Sequence, residues 1–256
     1  MPNQPIVPLH AEPLVGDAAI REAAALYTRV FRYEHDEFSL NPNLVSALAR
    51  NGGSAIGVRD EGRLVGFAYG FAGRDRSAAE FHYSQAAVVD PEYQGRGVGR
   101  LLKAGQRQVA LGWGQQRMRW TFDPLLARNA HFNFATLQAE GTGYAVDYYD
   151  RPGTDRIVVD WALDRDGDPF AGIRSLPSPA FDAAEWGRVF SATENDRRIA
   201  RLPLPAVTDG PAATGSTLRA HIREGMQEIF EAGLVLVNCT RIDDETAVYL
   251  AGEDVR

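Results

Sequence analysis

Gln94-Gly95-Arg96-Gly97-Val98-Gly99 is the stretch on which the reading of this chain turns. Upstream, Gln85-Ala86-Ala87-Val88-Val89 is short, apolar and partly β-branched, as a buried strand is. Downstream, Val98, Leu101, Leu102, Gly105 and Val109 recur at helical spacing. The glycines therefore lie between a strand and the first turn of a helix. That turn leaves backbone N–H groups without intrahelical acceptors and puts the positive end of the helix dipole beside them. Glycine lets a polyanion come close to such a backbone. The expected guest is a phosphate or pyrophosphate.

Three spacings compete for that guest. A nucleotide P-loop ends in Gly-Lys-Ser/Thr, and here Gly99 is followed by Arg100 and Leu101, so it fails. A dinucleotide fingerprint needs G-x-G-x-x-G/A, but its third slot falls on Arg100 or Leu102. A degenerate dinucleotide enzyme stays open as a rival. The third spacing, Gln94-x-x-Gly97-x-Gly99 after Val89-Asp90-Pro91-Glu92-Tyr93, closely resembles the acyl-CoA signature of the GNAT N-acyltransferase superfamily. The resemblance implies an α/β fold with a central mixed sheet flanked by helices. It implies that Gln94, Gly95, Arg96, Gly97, Val98, Gly99 and Arg100 hold the pyrophosphate of coenzyme A. It also implies that the main chain at Val88 and Val89 pairs with the pantetheine arm, like an added strand.

Composition bounds the rest. At 256 residues the chain holds one large domain or a domain with an extension. The net charge of -7 argues against nucleic acid as a partner. Apolar residues make up 45%, yet no uninterrupted run is long enough to span a bilayer. Met1-Pro2-Asn3-Gln4-Pro5 carries no signal-peptide pattern. Cys239 is the only cysteine and lies in the apolar run Leu234–Cys239, so it reads as a buried strand residue rather than a nucleophile. A cytoplasmic protein is expected. Arg96, Arg100, Lys103, Arg107, Arg117 and Arg119 form a locally basic stretch, either a solvated helix face or a phosphate-facing one.

Asp17 and Asn41-Pro42 open two helices. Residues 54–59 and 63–71 read as a hairpin around Asp60-Glu61-Gly62, and Glu80 to Val89 as the next strand. The glycine-loop helix ends near Gly112 or Gly114. Met118–Phe122 is a strand, Arg128 to Glu140 a helix stopped by Gly141-Thr142-Gly143, and residues 144–149 and 156–163 are strands. This order resembles a GNAT core over residues 1–163, starting from about Ile6. Residues 164–256 read as a C-terminal extension. It begins with a linker from Asp164 to Asp182 and a short helix within 181–201. A second linker, Leu202 to Ser216, leads to a helix stopped by Gly233 and a hairpin around Asp243-Asp244. The extension is expected to lengthen the sheet, to pair with another copy as a homodimer, or to wall off the substrate site. Residues 120–125 and 128–134 look like a branch of larger GNAT proteins, some linked to amino-acid N-succinylation.

Acyl transfer to an amine needs a held thioester, a stabilised carbonyl oxygen and a neutral amine. The leaving thiolate can take a proton. In a GNAT fold the base comes from the strands around the thioester. Here that makes His82 the first choice and Glu80 the second, both on one face of their strand, with Asp123 and His131 behind them. The position of the usual acid tyrosine falls on Phe134, which has no proton to give. Tyr144, or Tyr148 or Tyr149, is the substitute acid, unless the thiolate leaves unassisted. Asn129 and Asn133 are expected to hold the cofactor, with helix capping by Asn129 as the alternative, and Arg128 is a carboxylate anchor or a surface residue. The expected function is acyl-CoA-dependent N-acyl transfer to a small-molecule amine, with an amino acid as one candidate, in a ternary complex. The donor is acetyl-CoA or succinyl-CoA, with no metal. A non-catalytic acyl-CoA sensor of the same fold is the alternative.

Overall fold

The structure, a computed structural model, describes residues 9–31, 39–207 and 215–255. The expected start at Ile6, the Met1–Pro5 stretch and part of the second linker lie outside the described residues. The chain forms two compact units, residues 1–119 and 120–256.

The first unit holds β1 (His10–Pro13), α1 (Asp17–Phe31), α2 (Pro42–Arg50), β2 (Ser54–Asp60), β3 (Arg63–Arg74), β4 (Glu80–Val89) and α3 (Val98–Gly112). β5 (Arg117–Phe122) begins in it, and the boundary falls inside that strand. The strands lie in the order β1-β2-β3-β4-β5, antiparallel through β4 and parallel from β4 to β5. Local chemistry sets the joints. The Asn41 carboxamide oxygen accepts from the N–H groups of Asn43 and Leu44 at 3.0 and 3.3 Å, and Pro42 opens α2. Glu61 and Gly62 both take positive φ, +45° and +87°, which matches the twist of the β2–β3 hairpin.

Alternation along the strands splits the core onto two faces. Ala55, Leu64, Phe67, Tyr69 and Val88 pack with Ile20, Ala23, Leu26 and Val45 of α1 and α2. Ile56, Val58, Val65 and Ala68 pack with Val98 and Leu102 of α3. The mixed sheet is thus covered by helices on both faces, as expected. α3 sits close to it, since a Cβ on Gly105 would come within 2.7 Å of Ile56 Cγ2.

The second unit holds α4 (Ala127–His131), a π-turn (Phe132–Thr136), β6 (Glu140–Ala145), β7 (Arg156–Ala162), α5 (Ala171–Arg174), β8 (Phe190–Glu194), β9 (Arg197–Pro205), α6 (Ser216–Glu231), β10 (Leu234–Arg241) and β11 (Thr246–Glu253). Its strand order is β7-β6-β10-β11-β9-β8. Within this unit β10 pairs with β6 at Leu236↔Gly141, so the strands after residue 163 continue the array begun by β7 and β6.

Three local readings need correction. The helix expected over 128–140 ends in the π-turn at Thr136, and Gly141 is strand. A Cβ on Gly141 would meet Leu236 Cβ at 2.9 Å, so its glycine serves the close approach of β6 and β10 rather than a helix stop. The stretch from Asp164 to Asp182 is not a free linker. Its Phe170 is fully buried, and Arg174 donates to the carbonyls of Phe134 and Val237 and to Asp168. Third, residues 190–205 form the hairpin β8–β9 where a short helix and a linker were expected.

Candidate functional site

β4 carries the first half of the site. It pairs with β5 at His82↔Met118 and Tyr83↔Arg119. Toward β3 its register shifts, so that Tyr69 faces Ala86 while Gly70 faces Ser84. Gln85 is thus a bulge, a device that bends a strand and re-aims the residues after it. Ala86 to Val89 continue past the β4–β5 ladder toward the loop.

The loop is built on a buried carboxylate. Asp90 is 3% exposed and accepts from the Glu92 N–H at 3.2 Å, Arg29 at 3.1 Å and Arg63 at 2.7 Å. Burial works against its charge, but these donors prevail and hold the carboxyl below its ordinary value. Tyr93 donates to Asp60 at 2.6 Å, and the Arg96 guanidinium lies over its ring at 4.9 Å. Gly95 and Gly97 take φ of +78° and +81°, and no heavy atom lies within 4 Å of where a side chain would start at either. Gly97 caps α3, whose first-turn N–H groups point out of the helix end without intrahelical acceptors. Gln94, Arg96 and Arg100 are exposed around this opening, while Val98 is buried beneath it. The arrangement is an anion cradle of backbone amides flanked by guanidinium groups.

The other basic residues of the stretch do different things. Arg119 lies over the Phe81 ring at 4.4 Å and 3.8 Å from Asp75. Lys103 is 4% exposed and turned into the core. The reading of a single solvated or phosphate-facing helix face fails for it. Gly99, Lys103, Gln106 and Ala110 share a helical stripe beside the apolar one, and that spacing was the available signal.

The two β4 candidates are not brought together. Glu80 is exposed at the start of the strand. His82 is fully buried, with Nε2 2.8 Å from Ser54 Oγ and Nδ1 2.9 Å from Gln115 Oε1. Burial lowers its pKa below 6.5, the Gln115 hydrogen bond opposes this, and the charge of Lys103 adds to the lowering. A neutral imidazole with both nitrogens bonded has no lone pair left for an incoming ammonium, so the geometry gives His82 a structural part. His82→Ala is expected to lower stability by about 2–4 kcal/mol, through the cavity and the orphaned Ser54 and Gln115. Its pH–rate profile should keep its shape, and chemical denaturation with a pH series checks both.

In the second unit, Tyr144 donates to Asp155 Oδ2 at 2.6 Å. Arg223 grips the same carboxylate at 2.8 and 2.7 Å. Burial raises the Tyr144 pKa far above 10, and the bond to Asp155 adds to the rise, so the phenol holds its proton. Tyr144→Phe should change turnover by less than about threefold, against the 10²–10⁴-fold that a lost general acid would remove. Asn129 is exposed, whereas Asn133 is buried and accepts from Trp120 Nε1 at 3.2 Å. Phe134 is fully buried between Phe122 and Tyr249, with ring centroids 5.9 and 6.3 Å away. Tyr148 and Tyr149 are exposed and stack edge-on at 5.0 Å. Asp123 closes its own turn by accepting from the Leu125 N–H at 2.9 Å and lies 3.4 Å from Arg219. Exposed His131 meets the Cys239 carbonyl at 2.8 Å, and Arg128 is exposed on α4. Cys239 is buried and its thiol is pushed well above its ordinary value, so it is no nucleophile. Among the described residues no cluster suits a metal ion, and no helix is long and apolar enough to cross a membrane.

Residues 18–132 match the profile of the Acetyltransferase (GNAT) family. No curated protein matches the chain. Among solved structures, a GNAT-family protein from Desulfovibrio desulfuricans aligns with a TM-score of 0.50 at 14% identity, over 61% of this chain and 99% of its own. yncA of Salmonella typhimurium, solved with its cofactor acetyl-CoA, aligns at 0.50 and 16% identity, over 64% and 98%. The ribosomal-protein-alanine N-acetyltransferase of Brucella melitensis aligns at 0.50 and 16%, over 59% and 98%. At these identities the likeness is one of fold, and it leaves more than a third of this chain outside each match. Residues 18–132, with their bulged strand, glycine loop and capped α3, thus form a domain that matches the Acetyltransferase (GNAT) family.

Proposed function

We propose that the chain moves an acyl group from an acyl-CoA to the amine of a small molecule, by direct attack in a ternary complex. The observation that carries this is the open cradle at Gly95–Arg100, where two left-handed glycines and the start of α3 present backbone N–H groups beside Arg96 and Arg100. A diphosphate matches that donor set in charge and size. The Val88 and Val89 backbone, past the Gln85 bulge, is the segment to pair with the pantetheine arm, and a main-chain N–H near Val88 is the donor for the thioester oxygen as charge develops there.

The amine attacks the thioester carbon, a C–N bond forms, and the C–S bond breaks as the tetrahedral species collapses. Of the two β4 candidates Glu80 is the one with solvent access, so we assign it, through water, the proton lost by the amine. The thiolate leaves without help from Tyr144. Asn129 and Arg128, exposed on α4, are assigned to cofactor and substrate carboxylate respectively. Acetyl-CoA is the favoured donor, supported by the family and by the cofactor held in yncA, with succinyl-CoA as the alternative. Residues 1–163 would carry the catalytic core, and 164–256 the extension.

The test is thiol release from acetyl-CoA and succinyl-CoA against a panel of amines and amino acids. Release that depends on the amine supports the reading. Tight binding of acyl-CoA with no release for any amine would instead favour a sensor, a reading to which buried Phe134 and the proton-holding Tyr144 lend some weight.

A further inference from the structure

On the α3 side of the first unit, six polar side chains form one buried series. Lys103 Nζ donates to Ser84 Oγ at 2.9 Å, Ser84 donates to Gln106 Oε1 at 2.8 Å, and Gln106 Nε2 donates to Ser54 Oγ at 3.3 Å. Ser54 meets His82 at 2.8 Å, His82 meets Gln115 at 2.9 Å, and Gln115 Nε2 donates to the Gly52 carbonyl at 3.2 Å. None of the six is more than 5% exposed. Every donor in the series points the same way, from Lys103 toward Gly52, an order that a neutral His82 satisfies.

This series approaches the proposed cofactor site at two points. Ser84 immediately precedes the Gln85 bulge. Lys103 stands one helical turn, about 6 Å of axial rise, beyond Gly99 on the same face of α3. For a charge separation of about 10 Å and an effective dielectric of about 20, a single negative charge on the cradle favours the ammonium over the amine by about tenfold. Burial holds the Lys103 ammonium at a pKa of about 7, so either form is within reach.

We propose that a diphosphate seated on the glycine loop draws a proton onto Lys103, so that cofactor binding and protonation of this buried lysine are one coupled event. The inference rests on the acyl-CoA reading of the loop. The proton comes from solvent, the Nζ lone pair takes it, and no bond of the cofactor changes. The titratable neighbour on β4 is His82, whose lowered pKa leaves it neutral at pH 7.5 and above. The other charged or titratable groups on the elements packed here are Arg96, Arg100 and Arg107 on the loop and α3, Glu80 and Asp90 on and after β4, Arg59 and Asp60 on β2, Arg63 and Arg74 on β3, and His10 and Glu12 on β1. Carboxylates and guanidinium groups keep a fixed charge between pH 7 and 9.

The probe is dephospho-CoA, whose diphosphate does not titrate in this range. Calorimetry at pH 7.5 in two buffers of different ionisation heat should show the wild-type protein taking up about half a proton per ligand. Wild-type affinity should weaken by about threefold from pH 7.5 to pH 9. Lys103→Met and Lys103→Gln should show neither effect. Equal uptake in the wild type and both variants, or a flat wild-type affinity over that range, would overturn the coupling while leaving the site standing. Absence of binding by the wild type would overturn the loop reading and the coupling together.

Discussion

Gly97→Glu is expected to leave a folded protein that no longer binds acyl-CoA. Three effects add at one position. Gly97 sits at φ +81°, where a side chain is strained by roughly 1–2 kcal/mol. The carboxylate would occupy the open space over the first turn of α3, which is the space the diphosphate needs. It would also bring a negative charge where the helix end attracts one, and so compete with the ligand from inside the chain. The affinity loss should exceed about a hundredfold, or about 2.7 kcal/mol. Gly97→Ala separates the causes, since it carries the backbone strain without charge or bulk and should lose far less. Titration of both variants with CoA, beside thermal unfolding, is the check. Affinity within a few-fold of wild type in Gly97→Glu would remove the loop as the cofactor site.

Lys103→Met should make the unliganded protein more stable at neutral pH and remove a pH dependence that the wild type has. The unfolded lysine titrates near 10.5 and the folded one at about 7. Between those values the unfolded chain binds more protons, so wild-type stability rises with pH across that window. At pH 7 and below, the full cost of burying the ammonium is present, roughly 5 kcal/mol for a shift of this size, less whatever the Ser84 hydrogen bond returns. Methionine matches the length of the stem and carries no charge. Denaturant unfolding of both proteins from pH 7 to 9.5 should show the variant ahead at pH 7 and the gap closing as pH rises. A gap that is constant with pH would show that Lys103 holds its proton equally well in the folded and unfolded states.

The strand–loop–helix unit was legible because each part announces itself locally. β-branched residues mark β4, a proline follows Asp90, spaced glycines mark the left-handed positions, and an apolar stripe marks α3. Lys103 was illegible because a basic residue amid five arginines looks solvated, and only the fold shows which face of α3 meets β4. The same limit applies to His82, whose strand parity was readable but whose hydrogen-bond partners, Ser54 and Gln115, are far away in sequence. In the extension, Pro203 and Pro205 disguised β9 as a linker. A proline removes one ladder donor, yet both are accommodated opposite Val248 and Thr246. Phe134 is legible as an aromatic without a proton to give, but its part in a packed ring cluster depends on Tyr249, more than a hundred residues away.

The pairing of β10 along β6 has a practical corollary for anyone expressing this polypeptide. A fragment ending at Leu163 would bare the backbone of β6 around Gly141, together with the apolar flank that Leu236 now covers. Such a fragment would be driven to stick to its own kind or precipitate, so the tail works as an attached shield and cannot be trimmed without providing a replacement.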